Sequence, residues 1–384
     1  MKLFSIFFIL ILFLNACGQT STNNEKKIIV KSNRNELSTT QNHYQLSDFL
    51  DDNKTLEKEV EHLFSQLDDT SIVAQLLMPA IGRLGQTETV IDKLVKNRMI
   101  GGLLMLNGTK EQFTQYTKKY DEWNKENEHP LFLYSADAEP SLINRKIIGS
   151  KQVKKANEMK NLQEVLQYTD TICSDLLSIG INYNFAPVVD MSPNKTVGFR
   201  SFGNIPSNII PWSEAFIQTS QKQQIIATAK HFPGHGLVSG DTHKALQVID
   251  GELRELKTYP PLIESGVLSI MIAHIAVKNN PIYDTKGLPS TLSPLIVTDL
   301  LRKQMGFNGL IVTDAMNMGG VSSFKNASVM AIDAGCDILL MPLNSEKAFS
   351  EILAKYRNDS AFKNKVDIAC KRILRMKMCL NRVQ

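Results

Sequence analysis

Ile225-Ile226-Ala227-Thr228-Ala229-Lys230 runs without a break into His231-Phe232-Pro233-Gly234-His235-Gly236. The first half is a short, β-rich apolar run, which fits a strand buried on both faces better than a half-exposed one. The second half turns polar at once, and two glycines and a proline around two histidines prescribe a sharp backbone path that permits close approach to a ligand. Seven further runs share this form: Leu76 to Ile81, Gly101 to Leu106, Leu131 to Ser135, Asn182 to Pro187, Ser269 to His274, Leu310 to Thr313 and Asp337 to Met341.

Helical stretches lie between the runs. Leu162, Val165, Leu166, Thr169, Ile172, Cys173, Leu176 and Leu177 recur at steps of three and four before Gly180 supplies a stop. Ser293-Pro294 opens another helix with a cap and a proline at its first position, and Gly306 ends it ahead of the Leu310 run. Eight strands alternating with helices predict an α/β fold, a single (β/α)8 TIM-type barrel, with a doubly wound open sheet as the alternative. The 384 residues suffice for one such barrel, and no internal repeat or second domain boundary appears.

The N-terminus reads differently. Lys2 precedes an apolar run from Leu3 to Leu14, then Asn15, Ala16 and Cys17. That run is short for a bilayer span and has the charge, apolar centre and small-residue exit of a secretory signal. Leu14-Asn15-Ala16-Cys17 resembles the lipobox of bacterial lipoproteins, which implies lipidation of Cys17 and anchoring at the cell envelope; a plain signal peptide cut nearby is the alternative. The expected division is a signal peptide over 1–17, a flexible polar tether over 18–52, where apolar residues are scarce, and the barrel over 53–384. The net charge of +4 is spread without a basic block, which excludes nucleic acid as an expected partner. Cys173, Cys336, Cys370 and Cys379 form no C-x-x-C pair, and Cys173 and Cys336 sit in apolar patterns as small hydrophobes; neither zinc nor a disulfide is expected.

In a barrel, reactive residues sit at the carboxyl ends of strands. Asp137 follows the third run, Asp190 the fourth, Lys230 and His231 end the fifth, His274 the sixth, and Asp314 follows the seventh. Asp241 and His243 lie two apart in the loop after the fifth, where the carboxylate can bond one imidazole nitrogen and leave the other free for proton transfer. A metal site is the competing reading, since His231, His235, Asp241 and His243 are all ligand types. The expectation is no metal and no cofactor.

Together, Lys230 to Gly236, Asp241 and His243, Asn184-Phe185-Ala186-Pro187-Val188-Val189-Asp190, Arg200-Ser201-Phe202-Gly203 and Ile311-Val312-Thr313-Asp314 resemble glycoside hydrolase family 3, in its β-N-acetylglucosaminidase branch. The resemblance covers roughly residues 55 to 384. It implies a barrel and a retaining, two-step removal of terminal N-acetyl-β-glucosamine from cell-wall fragments or related glycans, by a monomeric chain. Asp314 is then the nucleophile, His243 the acid/base and Asp241 its orienting partner. The sugar is held by Asp137, Arg145, Arg200, Lys230 and His231, with Asp190 and His274 supporting. One departure stands out: the family follows that Asp with x-Glu-Gly-Gly-Arg, whereas this chain reads Asp137-Ala138-Glu139-Pro140-Ser141-Leu142. Two alternatives remain. A neutral His base does not repel an anion, so phosphate can replace water as acceptor; and an altered Asp137 loop can leave a sugar-binding lipoprotein without turnover.

Overall fold

The structure is a computed structural model that describes residues 44–191, 194 and 197–382. The expected signal peptide, Cys17 and residues 18–43 of the expected tether lie outside the described residues. The rest of that tether is corrected: Tyr44, Leu46 and Phe49 are buried in the core around a 3-10 turn at Leu46–Phe49. Arg375 holds the same segment by donating to the carbonyls of Asp48, Phe49 and Asp51. Three apolar side chains within six residues, each with a core partner, suffice to order a segment whose remaining composition is polar.

The strands are short: β1 Leu77–Met78, β2 Ala80–Ile81, β3 Gly102–Met105, β4 Gly108–Thr109, β5 Leu133–Ala136, β6 Ile147–Ile148, β7 Tyr183–Asn184, β8 Ile226–Phe232, β9 Gln247–Asp250, β10 Ser269–Ile272, β11 Ile275–Lys278, β12 Leu310–Thr313 and β13 Leu339–Leu340. Seven of them form one parallel sheet in the order β12-β10-β8-β7-β5-β3-β2. The fold is therefore α/β, with a parallel sheet laid out as in a half-barrel. Each of the eight expected runs overlaps a strand, with β5 and β8 continuing past the expected ends at Ser135 and Lys230. β13 pairs in parallel with β1, Leu77 opposite Leu339, and Ile338 bridges to Val312 of β12.

The helices pack outside this sheet as their periodicity requires. Leu162–Ile179 buries Val165, Thr169, Ile172, Cys173 and Leu176, leaves Leu162 and Leu177 exposed, and ends at Gly180 with φ 88°. The helix expected from Ser293 spans Leu295–Gln304 and is π-helical, with Pro294 before it and Gly306 at φ 67° after it. One core cluster runs from Tyr44 to Cys379, and all four described cysteines are buried free thiols.

The parallel pairs β4·β6 and β9·β11 lie beyond the strand ends. The second returns the loop that follows β8, with His235, Asp241 and His243, to the sheet.

Candidate active site

Asp137 is the first residue after β5, and Lys230 lies within β8, whose seven residues are all buried. The Lys230 ammonium therefore points into the strand ends with 1% of its side chain exposed, and it meets Asp137 Oδ1 at 2.6 Å and Glu139 Oε1 at 2.5 Å. Arg200 closes a two-pronged pair on Glu139 at 2.7 and 2.8 Å, and Lys146 bonds the other Asp137 oxygen. Buried charges persist only when paired and hydrogen-bonded, and here three cations surround two carboxylates. Burial alone would raise the Asp137 carboxyl, but Lys146, Lys230 and Arg200 outweigh it and hold it well below its ordinary range.

The altered segment after Asp137 keeps this arrangement. Glu139 has no exposed surface, and Ser141, standing where the family has a glycine, donates to Phe199 O at 2.6 Å and accepts from Ala156 N–H at 2.9 Å. The loop is thus tied to the segment that carries Arg200.

Asp190 forms a second buried centre. Its Oδ2 lies 2.6 Å from His231 Nδ1, and its Oδ1 accepts from the backbone N–H of His231 and His235 at 3.1 and 2.8 Å. Against burial, the His231 ring lowers the Asp190 pKa, so the ionised carboxylate accepts the Nδ1 proton and leaves Nε2 of His231 for other partners. Glu255 supports the same loop from below, accepting from Met191, Gly236 and Leu237 N–H at 2.5, 3.1 and 3.1 Å. A Cβ on Gly236 would fall 1.7 Å from Met191 O, so the loop needs glycine there.

Asp314 follows β12. Its N–H donates to Ile272 O at 2.9 Å, and its Oδ1 accepts from Ala315 N–H at 2.8 Å. Burial raises its carboxyl, yet the rings of His231 and His274, the Ala315 N–H and His243 together bring it below its ordinary value. His274 lies under this turn, with Nε2 donating to Ala315 O at 3.0 Å and Nδ1 at 2.8 Å from Thr291 Oγ1; burial lowers its pKa. Across the mouth, His243 Nδ1 meets Asp241 Oδ1 at 2.7 Å while 61% of its side chain is exposed. Burial raises the Asp241 carboxyl, and the His243 backbone N–H and ring outweigh it.

A cavity of about 350 Å³ joins these groups. Asp137, Arg145, Arg200, Lys230, His231, His243 and Asp314 all line it. Asp190 and His274 are buried beneath it, and Asp241 stands behind His243. Of the sugar-binding set, Arg145 is the outlier: it is exposed at the rim, and the next residue, Lys146, makes the bond to Asp137. Four side chains were not picked out from sequence: Glu139, Lys146, Thr242 and Glu255. The D-x-E spacing after Asp137 is a signal for the first; Lys146 and Thr242 meet their partners within irregular loops that carry no periodic pattern, and the partners of Glu255 are backbone groups. Among the described residues, His231, His235, Asp241 and His243 do not gather into a metal-ligand cluster.

Comparison with known proteins gives this constellation a family. The description "Glycosyl hydrolase family 3 N terminal domain" matches residues 69–376, well over half the chain and all of the groups above. The chain is similar to a beta-hexosaminidase of Hydrogenovibrio crunogenus, 28% identical over 289 residues, covering 70% of this chain and 78% of that protein. It is 35% identical over 191 residues to beta-hexosaminidase A of Pseudoalteromonas piscicida, covering 45% of this chain and 32% of that one, so it spans about a third of that relative. Among solved structures, a glycoside hydrolase family 3 beta-N-acetylglucosaminidase from Paenibacillus sp. str. FPU-7 matches with a TM-score of 0.74 and 26% identity over 82% of this chain and 63% of that one. The beta-glucoside phosphorylase BglX shares the fold, with a TM-score of 0.77 and 24% identity, over 86% of this chain and 62% of that one. With its strand-end acids and histidines inside the matched span, the chain belongs to glycosyl hydrolase family 3 and is an enzyme of the glycoside hydrolase class.

Proposed function

We propose that the protein is a retaining, exo-acting β-N-acetylglucosaminidase that removes terminal N-acetyl-β-glucosamine from cell-wall fragments or related amino-sugar glycans. The observation that carries this reading is the pairing, across one cavity, of a half-buried, ionised Asp314 with an imidazole oriented by Asp241. A carboxylate held ionised at the cavity wall is a ready nucleophile for the anomeric carbon. His243, with its Nδ1 proton on Asp241, presents Nε2 to the departing oxygen: it gives a proton in the first step and takes one from water in the second. Asp137, Arg200, Lys230 and His231 fork onto sugar hydroxyls, with Arg145 at the rim.

The names of the beta-hexosaminidase relatives support the substrate class. The fold reading behind the mechanism is a closed (β/α)8 barrel in which β13 is the eighth stave; its ladder to β1 and its bridge to β12 support closure.

Release of 4-nitrophenol from its N-acetyl-β-glucosaminide tests the activity. The expected result is turnover that falls by at least about 10³-fold in D314N and is strongly reduced in H243A. No turnover by the folded parent overturns the reading and favours a sugar-binding protein. One observation favours a phosphorylase as the second reading: Arg145, Lys146, Arg200 and Lys230 line the cavity, and a His base does not repel an entering anion. Sugar 1-phosphate formed in phosphate buffer would establish it.

We also propose export and lipid anchoring at Cys17, supported by Lys2, the Leu3 to Leu14 run and the lipobox-like Leu14-Asn15-Ala16-Cys17. The full chain should fractionate with membranes, and C17S should be released.

A further inference from the structure

Between β8 and β9 the chain leaves the strand ends and carries His235, Asp241, Thr242 and His243 over the cavity. Asp241 and His243 are accessible, whereas Thr242 between them is 1% exposed. Its hydroxyl sits 2.9 Å from Nε2 of His235, which is itself 2% exposed. His235 in turn is fixed by its backbone N–H on Asp190 at 2.8 Å, and its ring has no second hydrogen-bond partner among the described residues. A second attachment comes from the opposite side. Gly320 N–H donates to Thr242 O and Gly319 N–H to His243 O, both at 3.0 Å, and these glycines lie on the segment that starts at Asp314. A Cβ on Gly319 would stand 2.3 Å from Lys244 O, so this approach requires glycine.

An exposed imidazole is a poor proton donor unless something fixes its direction, because an unconstrained loop samples many orientations and few are productive. The Asp241–His243 pair lies within one tripeptide and orients the ring only relative to its own backbone. We infer that Thr242 is a positioning residue: a buried pin, held by His235 on one side and by Gly320 on the other, with Gly319 fastening the adjoining His243 backbone, that sets the acid/base loop against the nucleophile's own loop. This rests on the glycosidase reading above.

The consequence is specific to proton transfer. Cleavage of a poor leaving group needs the aligned acid, whereas 2,4-dinitrophenolate departs without it. In T242V, kcat/KM should therefore fall by about tenfold or more on phenyl N-acetyl-β-glucosaminide and by less than about twofold on the 2,4-dinitrophenyl glycoside. Turnover of the dinitrophenyl substrate should then be limited by the second step, and azide should accelerate it. Azide needs no general base: its nitrogen bonds to the anomeric carbon as the Asp314 carboxylate leaves, giving the β-glycosyl azide. T242S, which restores the hydroxyl, should recover the parent behaviour, and G319A, which acts from the other side, should reproduce the T242V pattern. Hydrogen exchange over residues 236–246 in the full chain reads the pin without catalysis and should quicken in T242V and G319A but not in T242S. Equal losses on both substrates, or unchanged exchange in T242V, overturn the inference. If the parent turns over neither substrate, the glycosidase reading fails, while the exchange measurement still decides the pin.

Discussion

Glu139 has no exposed surface, and two cations converge on it, Arg200 through two bonds and Lys230 through one. Removing one partner of a buried pair leaves the other charge uncompensated, which costs roughly 3–5 kcal/mol. E139Q keeps the shape and removes the charge, so it should lower unfolding stability at pH 7 by that order. Urea unfolding measures it, and a variant as stable as the parent would show that Asp137 alone compensates Lys230 and Arg200. The sign with pH follows. Although burial opposes it, Arg200 and Lys230 lower the Glu139 pKa. The stability Glu139 contributes is thus present above the unfolded value near pH 4.5 and is lost as pH falls through the lower folded value. The sequence showed Asp137, Arg200 and Lys230 through motifs, yet it hid the pairing among them. Arg200 lies 61 residues from Glu139, and Lys230 lies 93 from Asp137; no local pattern encodes either distance.

Short elements position the loop after β8. The 3-10 turn Arg254–Thr258 carries Glu255 beneath Gly236 and Leu237, where the carboxyl gathers three backbone N–H groups. Burial first, then the Asp190 charge, pushes this carboxyl up to about 8. An acid with a raised folded pKa keeps a proton that the unfolded chain has lost, so stability falls as pH rises between 4.5 and about 8. E255Q cannot ionise, and it should therefore gain on the parent by roughly 1.4 kcal/mol for each pH unit in that window. Urea midpoints for both proteins at pH 5 and pH 8 read the effect, and parallel shifts would refute it. At this scale the sequence was partly legible. The glycines and proline of His231 to Gly236 announced an unusual path, but the carboxyl group that holds it lies 19 residues beyond Gly236 in a turn with no periodic signal.

Across the whole molecule, eight apolar runs were readable because each strand is buried on both faces, whereas the order in which they pair was not. The ladder between Leu77 and Leu339 joins the two ends of the unit, and only the folded chain reveals it. The helix Ser360–Cys379 draws those ends together on the side away from the cavity. There Lys377, wholly buried, donates to Gln75 Oε1 at 2.6 Å and Gly101 O at 2.9 Å, just ahead of β1 and β3. Both acceptors are neutral, and burial lowers this ammonium to about 7. A lysine with a depressed folded pKa costs stability in full below that value. The cost fades as pH rises toward the unfolded value near 10.5, because the unfolded chain binds the extra proton. The four buried thiols, all raised by burial, act in the opposite sense above about pH 8.5. They are common to the parent and K377M, so the difference between the two isolates the lysine. K377M leaves two acceptors without a donor, a fixed penalty of roughly 1–3 kcal/mol for each, but it removes the pH-dependent one. Relative to K377M, the parent should gain about 2 kcal/mol of unfolding stability between pH 7 and pH 9. A difference that stays constant over that range would mean that the ammonium remains charged in the folded chain. In that case the carbonyls of Gln75 and Gly101 hold it in place of a carboxylate.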